Sequence, residues 1–208
     1  MLGPPGAGKG TQAEQFAKTR GVPRISTGDI LREAVHDGTE VGRAARAVMD
    51  AGRLVGDDIM IAIIRERLER RDVSEGFVLD GFPRTVAQAK ALDGLVDNRA
   101  PLVVVDIEVP ETTLVRRLQG RRICGTCGWN AAPGATVCAR CGGAFVQRHD
   151  DEERVVLERL RVYHRDTQPI VEFYSRRPTF RSVDGDQSQS AVAADIAAAV
   201  AAVLGGQP

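Results

Sequence analysis

Lysine is scarce in this 208-residue chain: Lys9, Lys18 and Lys90 are three of its 28 basic residues, and the rest are arginine. Aromatic residues are scarce too, at 4%. Neither sign of charge is in excess, because 28 acidic residues balance the basic ones. A neutral chain with few aromatic faces offers nucleic acid neither a general field nor a stacking platform, and it does not attract an anionic membrane. No apolar run approaches the roughly 18 residues of a membrane span. No basic start leads into an apolar signal segment. The expectation is a chain in the reducing cytoplasm, with neither nucleic acid nor membrane as partner. Most of the arginines read as compositional bias. A few matter more, because a guanidinium fork grips phosphate bidentately and keeps its charge when partly buried.

Apolar runs suited to buried parallel strands lie at Arg24–Ser26, Phe77–Leu79, Leu102–Val109 and Phe180–Val183. Helical patterns lie between and after them: Thr11–Thr19, Asp29–His36, Gly42–Ala51, Asp57–Arg70, Val86–Val96, Glu111–Gln119, Asp151–Ser175 and Ser190–Leu204. Strands alternating with helices predict an α/β fold with a parallel sheet flanked by helices. Two stretches interrupt the alternation and read as insertions. One is the helical segment 26–56; the other is 120–151, which holds every cysteine and little helical pattern. The core is then 1–25, 57–119 and 152–208. The alanine-rich stretch 191–202 reads as a last core helix.

The strongest local signal is Gly3-Pro-Pro-Gly-Ala-Gly-Lys-Gly-Thr11. Its glycines let successive N–H groups turn inward, and the helix that follows adds its positive end. Gly6, Ala7, Gly8, Lys9, Gly10 and Thr11 therefore read as a cradle for the phosphates of a nucleotide. The general phosphate-loop pattern is met by Gly3, Gly8 and Lys9, but Gly10 stands where Ser or Thr is usual.

The cysteines form Cys124-x2-Cys127-x10-Cys138-x2-Cys141, with Gly128 and Gly142 after the second thiol of each pair. Two such knuckles make a closed tetrahedral set, so one structural zinc ion per chain is the first reading, without catalytic use. Free thiols, another metal and disulfides remain as alternatives, the last disfavoured by the absence of a secretion signal.

The variant loop G-x-P-G-x-G-K-G-T resembles the adenylate kinase family, and the resemblance continues in order along the chain. Ser26-Thr-Gly-Asp-Ile-Leu-Arg32, Asp50-Ala-Gly-Arg-Leu-Val55, Asp80-Gly-Phe-Pro-Arg-Thr85 with Gln88, and Gly120-Arg-Arg122 paired with Arg148 and Asp150-Asp151 match the family's motifs. The resemblance implies a P-loop kinase core, an inserted helical AMP-binding subdomain and a zinc-bearing lid. It implies reversible phosphoryl transfer from MgATP to AMP, giving two ADP, by a monomer. By the same resemblance ATP would meet residues 6–11, Arg117, Arg121, Asn130, Ala131 and Gln187. AMP would meet Thr27, Arg32, Arg53, Leu54, Val55, Gly81, Phe82, Pro83, Arg84, Gln88, Arg148 and Arg159. Lys9, Arg84, Arg121, Arg148 and Arg159 would carry the transfer, and Asp80 with Asp29 would orient the water shell of Mg²⁺. The chain departs from the family's pattern at Gly56, at Asn130-Ala131 and at Arg154. His36, His149 and His164 read as surface or packing residues.

Two rival readings are a kinase for UMP, CMP or GMP, and a zinc-ribbon module that binds nucleic acid on an inactive nucleotide core. The long lid and Gln88 weigh against the first, neutral charge and scarce aromatics against the second. One feature conflicts with the expected sheet. Only Met1 and Leu2 precede Gly3, whereas a phosphate loop needs a strand to aim it. About four missing apolar side chains at ~1.5–3 kcal/mol each would cost roughly 6–12 kcal/mol, against a domain's stability of about 5–15 kcal/mol. The expectation is a natural start a few residues upstream, or a chain that folds poorly.

Overall fold

The computed structural model describes residues 1–97, 101–131 and 134–205. Four strands carry the parallel pairing: β1 (Arg24–Ser26), β2 (Val78–Asp80), β3 (Val104–Glu108) and β6 (Phe180–Asp184). β1 pairs with β2 from Arg24↔Val78, and β3 pairs with β6 from Val104↔Phe180. Between the two pairs run Met1 and Leu2: the Met1 amine donates to the Leu79 carbonyl at 2.9 Å, and Leu2 bridges β3 in parallel at Asp106. In a parallel ladder alternate peptide groups face opposite neighbours. Val78 N–H donates to Pro23 and Val104 N–H to Thr179. The groups of Leu79 and Val105 therefore face the space between the pairs. Below Leu2 that space is a cavity of about 910 Å³, lined by Val78, Leu79, Val103, Val104 and Tyr174 among others.

Nine helices surround the strands among the described residues. They are α1 (Lys9–Arg20), α2 (Thr27–His36), α3 (Glu40–Asp50), α4 (Asp57–Leu68), α5 (Val86–Val96), α6 (Glu111–Gln119), α7 (Glu153–Val162), α8 (Gln168–Ser175) and α9 (Gln189–Leu204). Four of them start at side-chain caps, which satisfy a free N–H group of the first turn. The Ser26, Thr39, Thr85 and Ser188 hydroxyls each accept from the N–H three residues on. The expected helix Asp151–Ser175 is helical from Glu153 to Ser175, with a π turn at Tyr163–Thr167 between α7 and α8. The extra residue in that turn accompanies a bond of the Thr167 hydroxyl to the Arg84 carbonyl at 2.9 Å.

Apolar side chains gather on both flanks of the strands. On one side Ile25, Leu31, Met60, Ile64, Leu79, Phe82 and Leu92 form a buried cluster. On the other, Val105, Ile107, Leu114, Leu118, Leu160, Val183 and Ile196 form a second. α9 contributes Val192, Ile196, Val200 and Val203 to burial, spaced at helical intervals. The alanine-rich stretch is thus a core helix, as its pattern implies. Segment 120–151 is an antiparallel hairpin of β4 (Arg122–Cys124) and β5 (Phe145–Gln147), followed by a short 3-10 turn at His149–Asp151.

Candidate active site

The phosphate loop turns at Gly3, Gly6 and Gly8, with φ of 133°, 87° and 93°. These lie in the region that side chains rarely enter. Lys9 folds back over the loop, its Nζ donating to the Gly3 and Pro4 carbonyls at 2.7 and 2.8 Å. Burial lowers its pKa from 10.5 to about 7; Asp80 opposes that fall, while Arg84, Arg159 and Arg121 add to it. The unusual Gly10 has a spatial reason, since a Cβ there would lie 3.2 Å from Asp80 Oδ2. A side chain there would press on the Asp80 carboxylate, which would have to give by a few tenths of an ångström.

Asp80 and Asp29 are brought to one cation, the Arg24 guanidinium, whose Nη2 lies 2.5 Å from Asp29 Oδ2 and 3.3 Å from Asp80 Oδ2. Asp29 also pairs with Arg32. Two carboxylates converging on a positive group form an oxygen-rich place of the kind a hydrated Mg²⁺ takes. The donor set therefore fits the magnesium reading.

Around the loop the structure gathers the arginines singled out above. Arg121 donates through Nε and Nη2 to Asp151 at 2.7 and 2.5 Å. Arg159 reaches the Asp150 carbonyl and Asp151 Oδ1, both at 3.0 Å. Arg148 pairs with Asp150. Burial first, with the charges of Arg121 and Arg148 and against Asp150 and Asp151, lowers the Arg159 pKa from 12.5 to about 10. Burial alone would raise the Asp150 carboxyl, but Arg159 and Arg148 outweigh it and hold the group well below the usual range. Arg32 and Arg84 are each lowered first by burial, and each also by the charge of Arg148. This is a pocket of crowded cations with Asp150 and Asp151 as internal counter-ions.

On the side of α2 and α5, the Thr27 hydroxyl donates to the Gly81 carbonyl at 2.8 Å. Arg84 Nε donates to the same carbonyl at 2.9 Å. Phe82 is buried, and its bond to Pro83 is cis. Arg53, Leu54 and Val55 follow α3, with Val55 in the core. The preceding Gly52 has φ of 71°, and a Cβ there would meet Val155 O and Arg159 Cγ at 3.1 Å. That close approach sets the loop against α7. On the other side Arg117 Nη2 donates to the Gly185 carbonyl at 2.9 Å. Gln187 there donates to the Asp184 carbonyl and to Asp195. Asn130 and Ala131 lie in the hairpin, opposite Ile123 and Arg122. No hydrogen bond or ion pair among the described residues ties them to the rest of the cleft.

The four thiols Cys124, Cys127, Cys138 and Cys141 converge, all sulfurs lying within 4.8 Å of one another. A tetrahedron with Zn–S near 2.3 Å needs sulfurs about 3.8 Å apart, so the set could hold zinc. Gly128 and Gly142 take φ of 70° and 74°. Their N–H groups donate back to the carbonyls of Cys124 and Cys138, which closes both knuckles.

Three groups in the site carry no motif in the sequence. Arg24 is one. Asp57, which receives Thr85 Oγ1 and Gln88 Nε2 at 2.9 and 2.7 Å, is another. The third is Asp106, buried with Oδ1 unpartnered and raised to about 6 by burial and then Glu108. Only spatial proximity reveals them.

Comparison with known proteins agrees with this arrangement. The family model described as Adenylate kinase matches residues 1–179. The chain is 47% identical over 204 residues to the adenylate kinase of Geobacillus sp. (strain WCH70), covering 94% of each chain. It is 45% identical over 206 residues to that of Archaeoglobus fulgidus, covering 95% of each. With that of Moorella thermoacetica it shares 48% identity over 202 residues, 92% of each. A family match over residues 1–179, with relatives 45–48% identical over more than nine-tenths of the chain, places it in the adenylate kinase family.

Proposed function

We propose that the protein transfers a phosphoryl group reversibly between MgATP and AMP, giving two ADP. The observation that carries this reading is the gathering of Arg32, Arg84, Arg121, Arg148 and Arg159 around the buried Lys9 and its phosphate loop. The acceptor is a phosphate oxygen of AMP. Its second pKa is about 6, so it is largely anionic at neutral pH, and no general base is needed. What the reaction needs is several negative phosphates held in line, which is a matter of position and charge.

Residues 6–11 would hold the phosphates of ATP, with Lys9 turning from its own carbonyls to the β- and γ-oxygens. Thr27, Arg32, Arg84 and the 53–55 backbone would hold AMP, with Gln88 at its base. Arg121, Arg148 and Arg159 would exchange Asp150 and Asp151 for substrate phosphates, which keeps them ordered and charged until substrate arrives. Arg117 and Gln187, with Asn130 and Ala131 from the hairpin, would meet the rest of ATP. Mg²⁺ entering with ATP neutralises phosphate charge, and Asp80 with Asp29 would hold its water shell. In this reading 1–25, 57–119 and 152–208 form a core, while 26–56 and 120–151 close over the substrates and exclude water. A zinc ion on the four thiolates would fasten the second of these.

No helix among the described residues is long and apolar enough to cross a membrane. We read the protein as a cytoplasmic monomer whose partners are ATP, AMP and ADP. ADP formation with AMP, CMP, UMP and GMP as acceptors tests the assignment. AMP is expected to give the highest kcat/KM, and a better value for any other acceptor would overturn it.

A further inference from the structure

Gln88 is 1% exposed, at the first turn of α5. A primary amide in such a place has two nearly isosteric orientations, related by exchange of its oxygen and nitrogen, and its neighbours choose between them. Here both neighbours are unambiguous. Gln88 Nε2 donates to Asp57 Oδ1 at 2.7 Å, and a carboxylate only accepts. Gln88 Oε1 accepts from the Arg84 backbone N–H at 2.8 Å, which only donates. Exchange of the amide would set oxygen against carboxylate and NH₂ against N–H, two repulsions in place of two bonds.

Asp57 is itself held. Its other oxygen accepts from the Thr85 hydroxyl at 2.9 Å, and that hydroxyl accepts from Gln88 N–H at 3.1 Å. Asp57 opens α4 and Thr85 caps α5, so the clamp spans two helices.

We propose that Asp57 is a specificity-determining positioning residue, which locks the Gln88 amide in the one orientation that suits a 6-aminopurine and rejects a 6-oxopurine. The inference rests on the reading of Gln88 as the contact to the base of the acceptor. Each end of the locked amide keeps one further position, an N–H on Nε2 and a lone pair on Oε1. Adenine presents the complement, an acceptor at N1 and a donor at the 6-amino group. Hypoxanthine and guanine present the reverse, a donor at N1–H and an acceptor at O6. A free glutamine meets either base by turning over, whereas a locked one meets only the first. Cytosine shares the donor and acceptor order of adenine, so the lock separates amino from oxo bases and leaves ring size to the pocket.

AMP and IMP differ only at the 6-position and the adjoining N1, which makes them the matched pair of probes. In Asp57→Asn the new side chain offers Gln88 a donor as well as an acceptor. The ratio of kcat/KM for AMP to that for IMP is expected to fall at least fivefold, through KM, with kcat and the KM for ATP within about threefold. Asp57→Glu, which keeps an acceptor-only group, is expected to restore part of the ratio. A fall of less than fivefold in Asp57→Asn would overturn the lock. Should that variant melt below the assay temperature, all variants are assayed below its melt and judged by the same threshold. Gln88→Ala separates the two levels of the argument. If it leaves the AMP to IMP ratio unchanged, Gln88 does not read the base and the underlying reading fails with the lock. If it collapses the ratio while Asp57→Asn does not, the base contact stands and the lock alone is wrong.

Discussion

The arginine pocket and the cysteine hairpin are held in opposite ways. Around the phosphate loop, order comes from apolar burial: Ile25, Ile64, Phe82, Ile107 and Leu118 pack behind the strands. The charged groups in front are held by reversible ion pairs. In the hairpin the apolar side chains contribute little, with Val137 61% and Val146 47% exposed. Its four thiols converge instead, in a set that could hold a metal ion. One region keeps its polar groups free for chemistry because greasy contacts hold the frame. The other gathers its four thiols away from the arginines, so the groups that could bind a metal are not the ones that face the phosphates.

That contrast is sharpest in the effects of removing polar groups. Arg84→Met takes one guanidinium from the pocket without touching the apolar frame. Charge-assisted bonds are worth roughly 1.5–3 kcal/mol each, and more where the transition state uses them. Hence kcat/KM is expected to fall at least a hundredfold while the melting temperature holds within about 3 °C. A loss of tenfold or less would show that the pocket does not use this arginine. Removal of metal from the hairpin should do the reverse. Elemental analysis is expected to find close to one zinc per chain. Chelation removes binding energy that is also folding energy, and a loss of only ~2 kcal/mol lowers the melting temperature of a chain this size by about 4–8 °C. Activity at temperatures well below the melt should survive. A zinc-free chain of unchanged stability would break the comparison on its hairpin side.

Local features were legible in the sequence wherever the chemistry is local. The helical patterns beginning at Asp29, Val86 and Ser190 lie within two residues of the observed starts at Thr27, Val86 and Gln189. The thiol spacing is likewise a local constraint. The π turn at Tyr163–Thr167 escaped, since one extra residue in a helix leaves the apolar periodicity nearly intact. Asp57 escaped for another reason. Its partners Thr85 and Gln88 lie 28 and 31 residues away, and no spacing rule links the start of one helix to the cap of the next. The sheet was legible as strands, the run Leu102–Val109 containing β3. Gly10 was visible only as a departure from the loop pattern, and its neighbour Asp80 Oδ2 supplies the cause.

The buried Lys9 makes ATP binding a proton-linked equilibrium. In the free protein desolvation lowers its pKa to about 7, so the amine titrates near neutral pH. Phosphate oxygens favour the ammonium, which raises the pKa in the complex. Binding then draws protons from solution at and above that pH. The sign follows directly: affinity weakens as pH rises from about 7 and levels off below it, where Lys9 is charged in both states. Calorimetry in two buffers of different ionisation enthalpy reads the uptake as a difference in apparent heat. Lys9→Met should abolish that difference and flatten the pH dependence together, so that the phosphate loop reports the proton concentration as well as the nucleotide.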